Sequence, residues 1–170
     1  KYITSQSSDR NTFSNENITF NYNPSLFDIT YTRAARLKDR TYDYQDIKLI
    51  SKDKSYELEM RLNMEGIGGA CPGFPDGYEL TPITLSEMPV EKAKYVNSQQ
   101  AHENWPLGNI YLVNKNEYGY GCPNVAGIHS GKNGATNIIY RLDSLYNNPG
   151  EYTKAEQNLD EIIKSIKGFW

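Results

Sequence analysis

The sequence predicts an α+β fold: an antiparallel β-sheet of about six to eight strands with a C-terminal amphipathic helix packed on it. Two observations carry this. Between 17 and 145 the apolar residues return at period 2 in one run after another, separated by Gly, Pro, Asn and Asp, and after 150 the period becomes helical. A third observation sets the domain count. The chain has 170 residues, no internal repeat and no long linker, so it makes one domain with room for its own core.

Residues 1–16, "KYITSQSSDRNTFSNE", are polar and hydroxyl-rich with isolated Tyr2, Ile3 and Phe13, which marks them as a tether ahead of a single domain at 17–170. In "NITFNY" at 17–22, Ile18, Phe20 and Tyr22 share one face, the pattern of a half-buried strand. Asn23-Pro24 turns the chain, and "LFDITYT" at 26–32 repeats the alternation, so the two runs are expected to pair antiparallel. "DIKLI" at 46–50 is a shorter strand. The clearest element is "KSYELEMRLNM" at 54–64. There Tyr56, Leu58, Met60, Leu62 and Met64 alternate with Glu57, Glu59, Arg61 and Asn63, which predicts a long strand with one wet face.

Strands follow at "YELTPITL" (78–85), "KAKYVN" (92–97), "NIYLV" (109–113) and "NIIYRLDSL" (137–145), with Pro82 placing its run at a sheet edge. Thr153 and Glu156 form a capping box. Ala155, Leu159, Ile162, Ile163 and Ile166 then make one helical stripe, Asp160 and Lys164 an i, i+4 pair on the wet side, and Gly168 a stop.

The formal charge of −3, from 18 basic and 21 acidic residues spread without blocks, argues against nucleic acid as the partner. No apolar run reaches the roughly 20 residues that a membrane-spanning helix needs. The hydrophobic fraction of 38% is low even with 14 tyrosines counted in it, and Asn, Ser and Thr fill the deficit, a mix that suits an exported protein. With Lys1 at the start in place of Met, two expectations stay open: a leader or anchor has been removed, or the sequence begins partway along a longer chain. The expected location is therefore extracytoplasmic, secreted or tethered to the cell surface.

The order of elements resembles the PsbP/Mog1-like fold, found in the photosystem II accessory protein PsbP and in related exported bacterial proteins and lipoproteins. The resemblance rests on the opening "NTFSNENITFNYNPSLFDI", similar to the family's aromatic entry strand, turn and second strand, and on the ending "NLDEIIKSIKGF", similar to its final helix. Asn23 departs from the pattern by separating Tyr22 from Pro24, and the loops and cysteines of 66–136 have no counterpart in it. The resemblance implies an α/β/α sandwich, usually without catalysis, in an accessory or binding role outside the cytoplasm. It assigns no binding residue.

The stretch "GIGGACPGFPDG" at 66–77 has five glycines, but the third position of a phosphate-binding G-x-G-x-x-G holds Cys71 and no Lys-Ser/Thr follows. The cysteines are more informative. Cys71 and Cys122 are each followed by proline in a glycine-rich loop after a strand-like run, and an extracytoplasmic compartment would oxidise them to a disulfide. Such a crosslink would stabilise by about 3–4 kcal/mol on chain entropy alone.

A thiol-dependent enzyme using Cys122 with His129, or with His102, is the competing reading, since an imidazole can raise the thiolate fraction. Against it, the proline after Cys122 has no N–H to offer an oxyanion. No metal-ligand spacing is present, no motif calls for a cofactor, and Arg61 beside Glu57 and Glu59 suggests a solvated ladder.

The aromatics are the candidate ligand surface. Phe74 and Tyr78 flank one cysteine loop, Tyr118 and Tyr120 precede the other, and Trp105 in "HENWPLGN" adds a further anchor. A disulfide would gather them into one rim, suited to a protein or carbohydrate partner. The same rings would equally cover a small core of their own. The sequence thus points to a non-catalytic binding or accessory domain. A structural subunit of a membrane-associated complex is the remaining alternative. Asn17-Ile18-Thr19 is a glycosylation sequon if the source is eukaryotic.

Overall fold

A computed structural model describes residues 10–33, 44–64, 77–99, 101, 106–114, 128–130 and 134–168. Their strands are β1 (Asn11–Ser14), β2 (Ile18–Tyr22), β3 (Phe27–Arg33), β4 (Gln45–Ser51), β5 (Glu57–Met64), β6 (Tyr78–Leu85), β7 (Met88–Tyr95), β8 (Ile110–Val113), β9 (Ile128–Ser130), β10 (Gly134–Arg141) and β11 (Lys167–Gly168). A 3-10 turn at Asp143–Leu145 precedes the helix α1 (Pro149–Ser165). Eight strands form one antiparallel sheet in the order β3-β4-β5-β10-β8-β7-β6 with β9 also on β10, and β1-β2-β11 form a second, small sheet. The chain is α+β as expected. Pro82 does lie on an edge strand, β6.

The main core lies between the large sheet and α1. Alternation sends Ile47, Leu49, Leu58, Met60, Ile110, Leu112, Ile138 and Tyr140 to one face, where Leu159, Ile162 and Ile163 of α1 and Ile18 and Phe20 of β2 meet them. Burying each such side chain contributes about 1.5–3 kcal/mol, which is what holds a helix of this length on the sheet.

Several expectations are corrected. The strand at Asn11–Ser14 falls inside the supposed tether, because Phe13 stacks on Phe20 with ring centroids 5.0 Å apart and so has a core to join. β2 and β3 do not pair. Leu26 N and Phe27 N both donate to Asn23 O, at 3.0 and 3.1 Å, and this tight corner turns the chain out of one sheet and into the other. β2 pairs instead with β1 and β11, and β3 with β4.

The helix begins at Pro149, not at Thr153. Proline suits the first turn, and Asn148 caps it by accepting a hydrogen bond from Glu151 N. It ends at Ser165. Gly168 serves the small sheet: its φ is +92°, and a Cβ there would lie 2.5 Å from Asn17 O. Asp160 is not on the wet side, since it accepts from Lys92 and Tyr140 beneath the helix, while Lys164 lies 4.0 Å from Glu161. Nor is the second face of β5 wet, because the Glu59 side chain is 1% exposed.

Candidate functional site

Of the expected site residues, Cys71, Cys122, Phe74, Trp105, Tyr118 and Tyr120 lie outside the described residues, as does His102. What is described is where their segments are rooted. β5 ends with Met64 opposite Ala135 of β10, and on the other side of β10 His129 of β9 is opposite the same Ala135. Met64 and His129 therefore sit two inter-strand spacings apart, about 10 Å. The segment bearing Cys71 leaves the sheet from the first root, and the segment bearing Cys122 returns to it at the second.

The second segment is an insertion within a single row. β8 places Ile110 and Tyr111 opposite Tyr140 and Ile139, a register that would bring Asn114 opposite Thr136. Ile128 of β9 stands there instead. β8 and β9 thus lie along the same line of the sheet beside β10, and a register irregularity between Ala135 and Asn137 marks the spot on the β5 side.

Tyr78, at the start of β6, is half-buried on the face away from α1. Its ring centroid is 5.2 Å from that of Tyr95 and 6.1 Å from that of Tyr111, and Ala93, Val113 and Ile139 complete a second, smaller core. Burial pushes the Tyr78 phenol well above its ordinary pKa. Tyr111 is pushed up to about 12, chiefly by burial, with Arg141 opposing.

Beside these rings lies a charge cluster that the sequence did not reveal. Glu59 Oε2 accepts from Arg141 Nε and Nη2 at 2.8 and 2.6 Å, while Oε1 faces Arg61 and, at 3.8 Å, Lys48 Nζ. Desolvation would raise this carboxyl, but the charge and hydrogen bonds of Arg141, backed by Arg61 and Lys48, outweigh it and hold the pKa below the usual value. Such a carboxylate stays ionised and makes a poor general acid.

The opposite face holds the mirror image. Lys92 Nζ donates to Glu156 Oε1 at 2.6 Å and Asp160 Oδ2 at 2.7 Å, and Tyr140 donates to Asp160 Oδ1 at 2.8 Å. Desolvation lowers the Lys92 pKa, yet the hydrogen bonds and charges of Asp160 and Glu156 more than reverse it. The ammonium remains charged and is no nucleophile. The signal for this cluster was present: Lys92 sits at the inward phase of β7 with Val90, and Glu156 and Asp160 lie one turn apart beside the apolar stripe.

Between α1 and the β4–β5 turn runs a cleft of about 210 Å³ lined by Lys52, Asp53, Tyr56, Glu151, Lys154 and Asn158 among others, in which Asn158 Nδ2 donates to Tyr56 Oη at 2.9 Å. Its charges balance, and its polar groups largely satisfy one another: Asp53 accepts from both Ser51 and Ser55. Asn17 Nδ2, the sequon nitrogen, is shut from solvent. Among the described residues no three His, Cys, Asp or Glu side chains are placed to hold a metal ion. No described helix is long and apolar enough to cross a membrane. No family model matches the chain, and neither a curated protein nor a solved structure matches it.

Proposed function

We propose that this chain is a non-catalytic, extracytoplasmic binding or accessory domain whose working surface is a loop rim stapled by a Cys71–Cys122 disulfide, with Phe74, Trp105, Tyr118 and Tyr120 as its aromatic contacts; Tyr78, the fifth ring expected there, belongs to the second small core, in the row of Arg141 at the other end of β10 from Ala135. The observation that carries this reading is the common root at Ala135, flanked by Met64 and His129. Two segments that leave one sheet within about 10 Å of each other can close a disulfide with short excursions. The state of the described charges supports the non-catalytic part, because Glu59 and Lys92 are both locked in their charged forms by partners. The partner is a protein or a carbohydrate, surfaces on which tyrosine and tryptophan give large contact area at low entropic cost.

The PsbP/Mog1-like assignment belongs to the same proposal. An antiparallel sheet with the terminal helix packed across it, and an aromatic entry strand docked beside that helix through Asn21 N donating to Ser165 Oγ at 2.9 Å, support it. The sandwich further requires a helical layer on the second face, and α1 is the one α-helix among the described residues.

The test is binding of the purified chain to an oligosaccharide array and to a peptide array, compared with the Tyr118→Ala/Tyr120→Ala double variant. Loss of captured ligand with an unchanged thermal midpoint supports the rim. A large fall in the midpoint would assign these rings to the interior and remove them as contacts.

A further inference from the structure

The chain enters the fold at one pole of the molecule and roots its candidate rim at the other. β3 spans the distance. Arg10, just ahead of β1, borders a hollow that Asn23 and Phe27 also line, at the start of β3. At the end of β3, Arg33 Nη2 lies 2.5 Å from Glu16 Oε1 in the turn after β1, and Asn15 Nδ2 of the same turn donates to Gln45 Oε1 at 2.8 Å. Seven residues of strand, about 20 Å, separate these ends. Arg33 is opposite Gln45 and Gln45 opposite Leu62, two residues short of Met64, so the second end is the rim pole. β1 therefore runs lengthwise, from the far pole toward the rim.

In an antiparallel pair the hydrogen bonds lie across the strands, so a pull along a strand loads every rung at once, whereas a pull across it opens them one after another. β1 holds β2 by four rungs, from Asn11 opposite Tyr22 to Ser14 opposite Thr19. Side chains resist sliding on both faces. Phe13 stacks on Phe20 at 5.0 Å and meets Tyr31 edge-on at 5.5 Å, while on the other face Ser14 Oγ and Thr19 Oγ1 are 2.8 Å apart and Thr12 Oγ1 donates to Asn21 Oδ1 at 2.9 Å. β2 is fixed in turn, because Ile18 and Phe20 belong to the main core. Gly168, opposite Ile18, accepts from Ser86 Oγ at 2.8 Å, which ties the β6–β7 turn to the small sheet at the rim pole.

We propose that β1 is a load-bearing clasp: a domain held by the segment ahead of Arg10 and pulled at its rim carries the load as shear between β1 and β2. This rests on the rim proposed above, where a bound partner would do the pulling. The direction of the load is then chiefly along β1, the one in which its four rungs and the Phe13 stack must yield together. Four residues of strand suffice as a holdfast in that direction and would be a weak one in any other.

The test is forced unfolding of the full chain in optical tweezers at one loading rate, which reads the unfolding barrier. One handle is on the N-terminus. The other is on an azide-bearing residue in place of exposed Glu87, in the β6–β7 turn at the rim pole, or of exposed Lys54, in the β4–β5 turn at the far pole, where the line to Arg10 crosses the strands. The handle at 87 should give a severalfold higher rupture force than the handle at 54. Phe13→Ala should lower the first force and leave the second, set by the outermost rung at Asn11, nearly unchanged. Equal forces from the two handles, or a Phe13→Ala effect shared equally by both, overturns the proposal. No ligand takes part, so a rim that binds nothing leaves a high force at 87 standing, and equal forces leave the rim itself untouched.

Discussion

Among the described residues, the two faces of the large sheet each bury one charged side chain, and the charges are opposite. Under α1 a cation, Lys92, sits between Glu156 and Asp160; on the far face an anion, Glu59, sits among Arg141, Arg61 and Lys48. The central groups are alike in burial, 8% exposed for Lys92 and 1% for Glu59, but their partners are not. The carboxylates around Lys92 are 25% and 17% exposed and lie against a fully buried phenol, whereas the cations around Glu59 are each about a third exposed. What removal of a buried charge costs therefore depends on whether the partners left behind can reach water.

The largest effect should follow Lys92→Met. It leaves the Glu156 and Asp160 carboxylates facing each other beneath the helix without their cation, Asp160 keeping only the Tyr140 hydroxyl, and chemical denaturation should show a loss of about 3–5 kcal/mol. Glu59→Gln should cost less, about 2–3 kcal/mol, because long arginine and lysine side chains can swing outward. The reverse order would break the comparison.

The same contrast appears in pH. The Glu59 pKa is lowered on folding, so its contribution is complete above the ordinary glutamate value of about 4.3 and is lost as the pH falls below it. The Lys92 pKa is raised, so its contribution is complete below the ordinary lysine value of about 10.4 and is lost as the pH rises through the folded value. Stability curves of Glu59→Gln should be flatter on the acid limb and those of Lys92→Met on the alkaline limb. Part of the alkaline limb will remain in both, since burial raises the Tyr140 and Tyr152 phenols as well.

Smaller effects sharpen the picture near α1. Tyr140→Phe removes one hydrogen bond to Asp160 and should cost about 1–2 kcal/mol, the bond being to a charged group. Lys94 Nζ stands 4.4 Å from the centroid of the Tyr152 ring, and Lys94→Gln should cost about 0.5–1 kcal/mol. Thermal midpoints measured side by side check both.

Much of the fold was legible because it follows from local period. The alternation of β5, the apolar stripe of α1 and the edge position forced by Pro82 all depend on residues a few positions apart. The errors arose where distant residues decide. Alternation identified the two faces of β5 but not what lies on each, and Glu59 is buried by Arg141, which is 82 positions away. Phe13 looked like part of a tether because its partner Phe20 belongs to a strand that sequence proximity had assigned to a hairpin with β3. The β6–β7 hairpin was missed for a local reason: Ser86 and Glu87 take positive φ, 47° and 69°, where Asn-Gly would have announced the turn. Of the candidate rim, spacing could suggest that the two cysteine segments meet, but the shared root at Ala135 is a matter of register, which no run of sequence displays.

That shared root is what the functional reading depends on, and intact mass after alkylation tests it most directly, on native and denatured chain, each with and without reductant. If the two segments are stapled, neither Cys71 nor Cys122 takes up label until reductant is added, even in denaturant. Rapid labelling of Cys122 in the native, unreduced chain would contradict the account and make a thiol activity with His129 or His102 the reading to pursue.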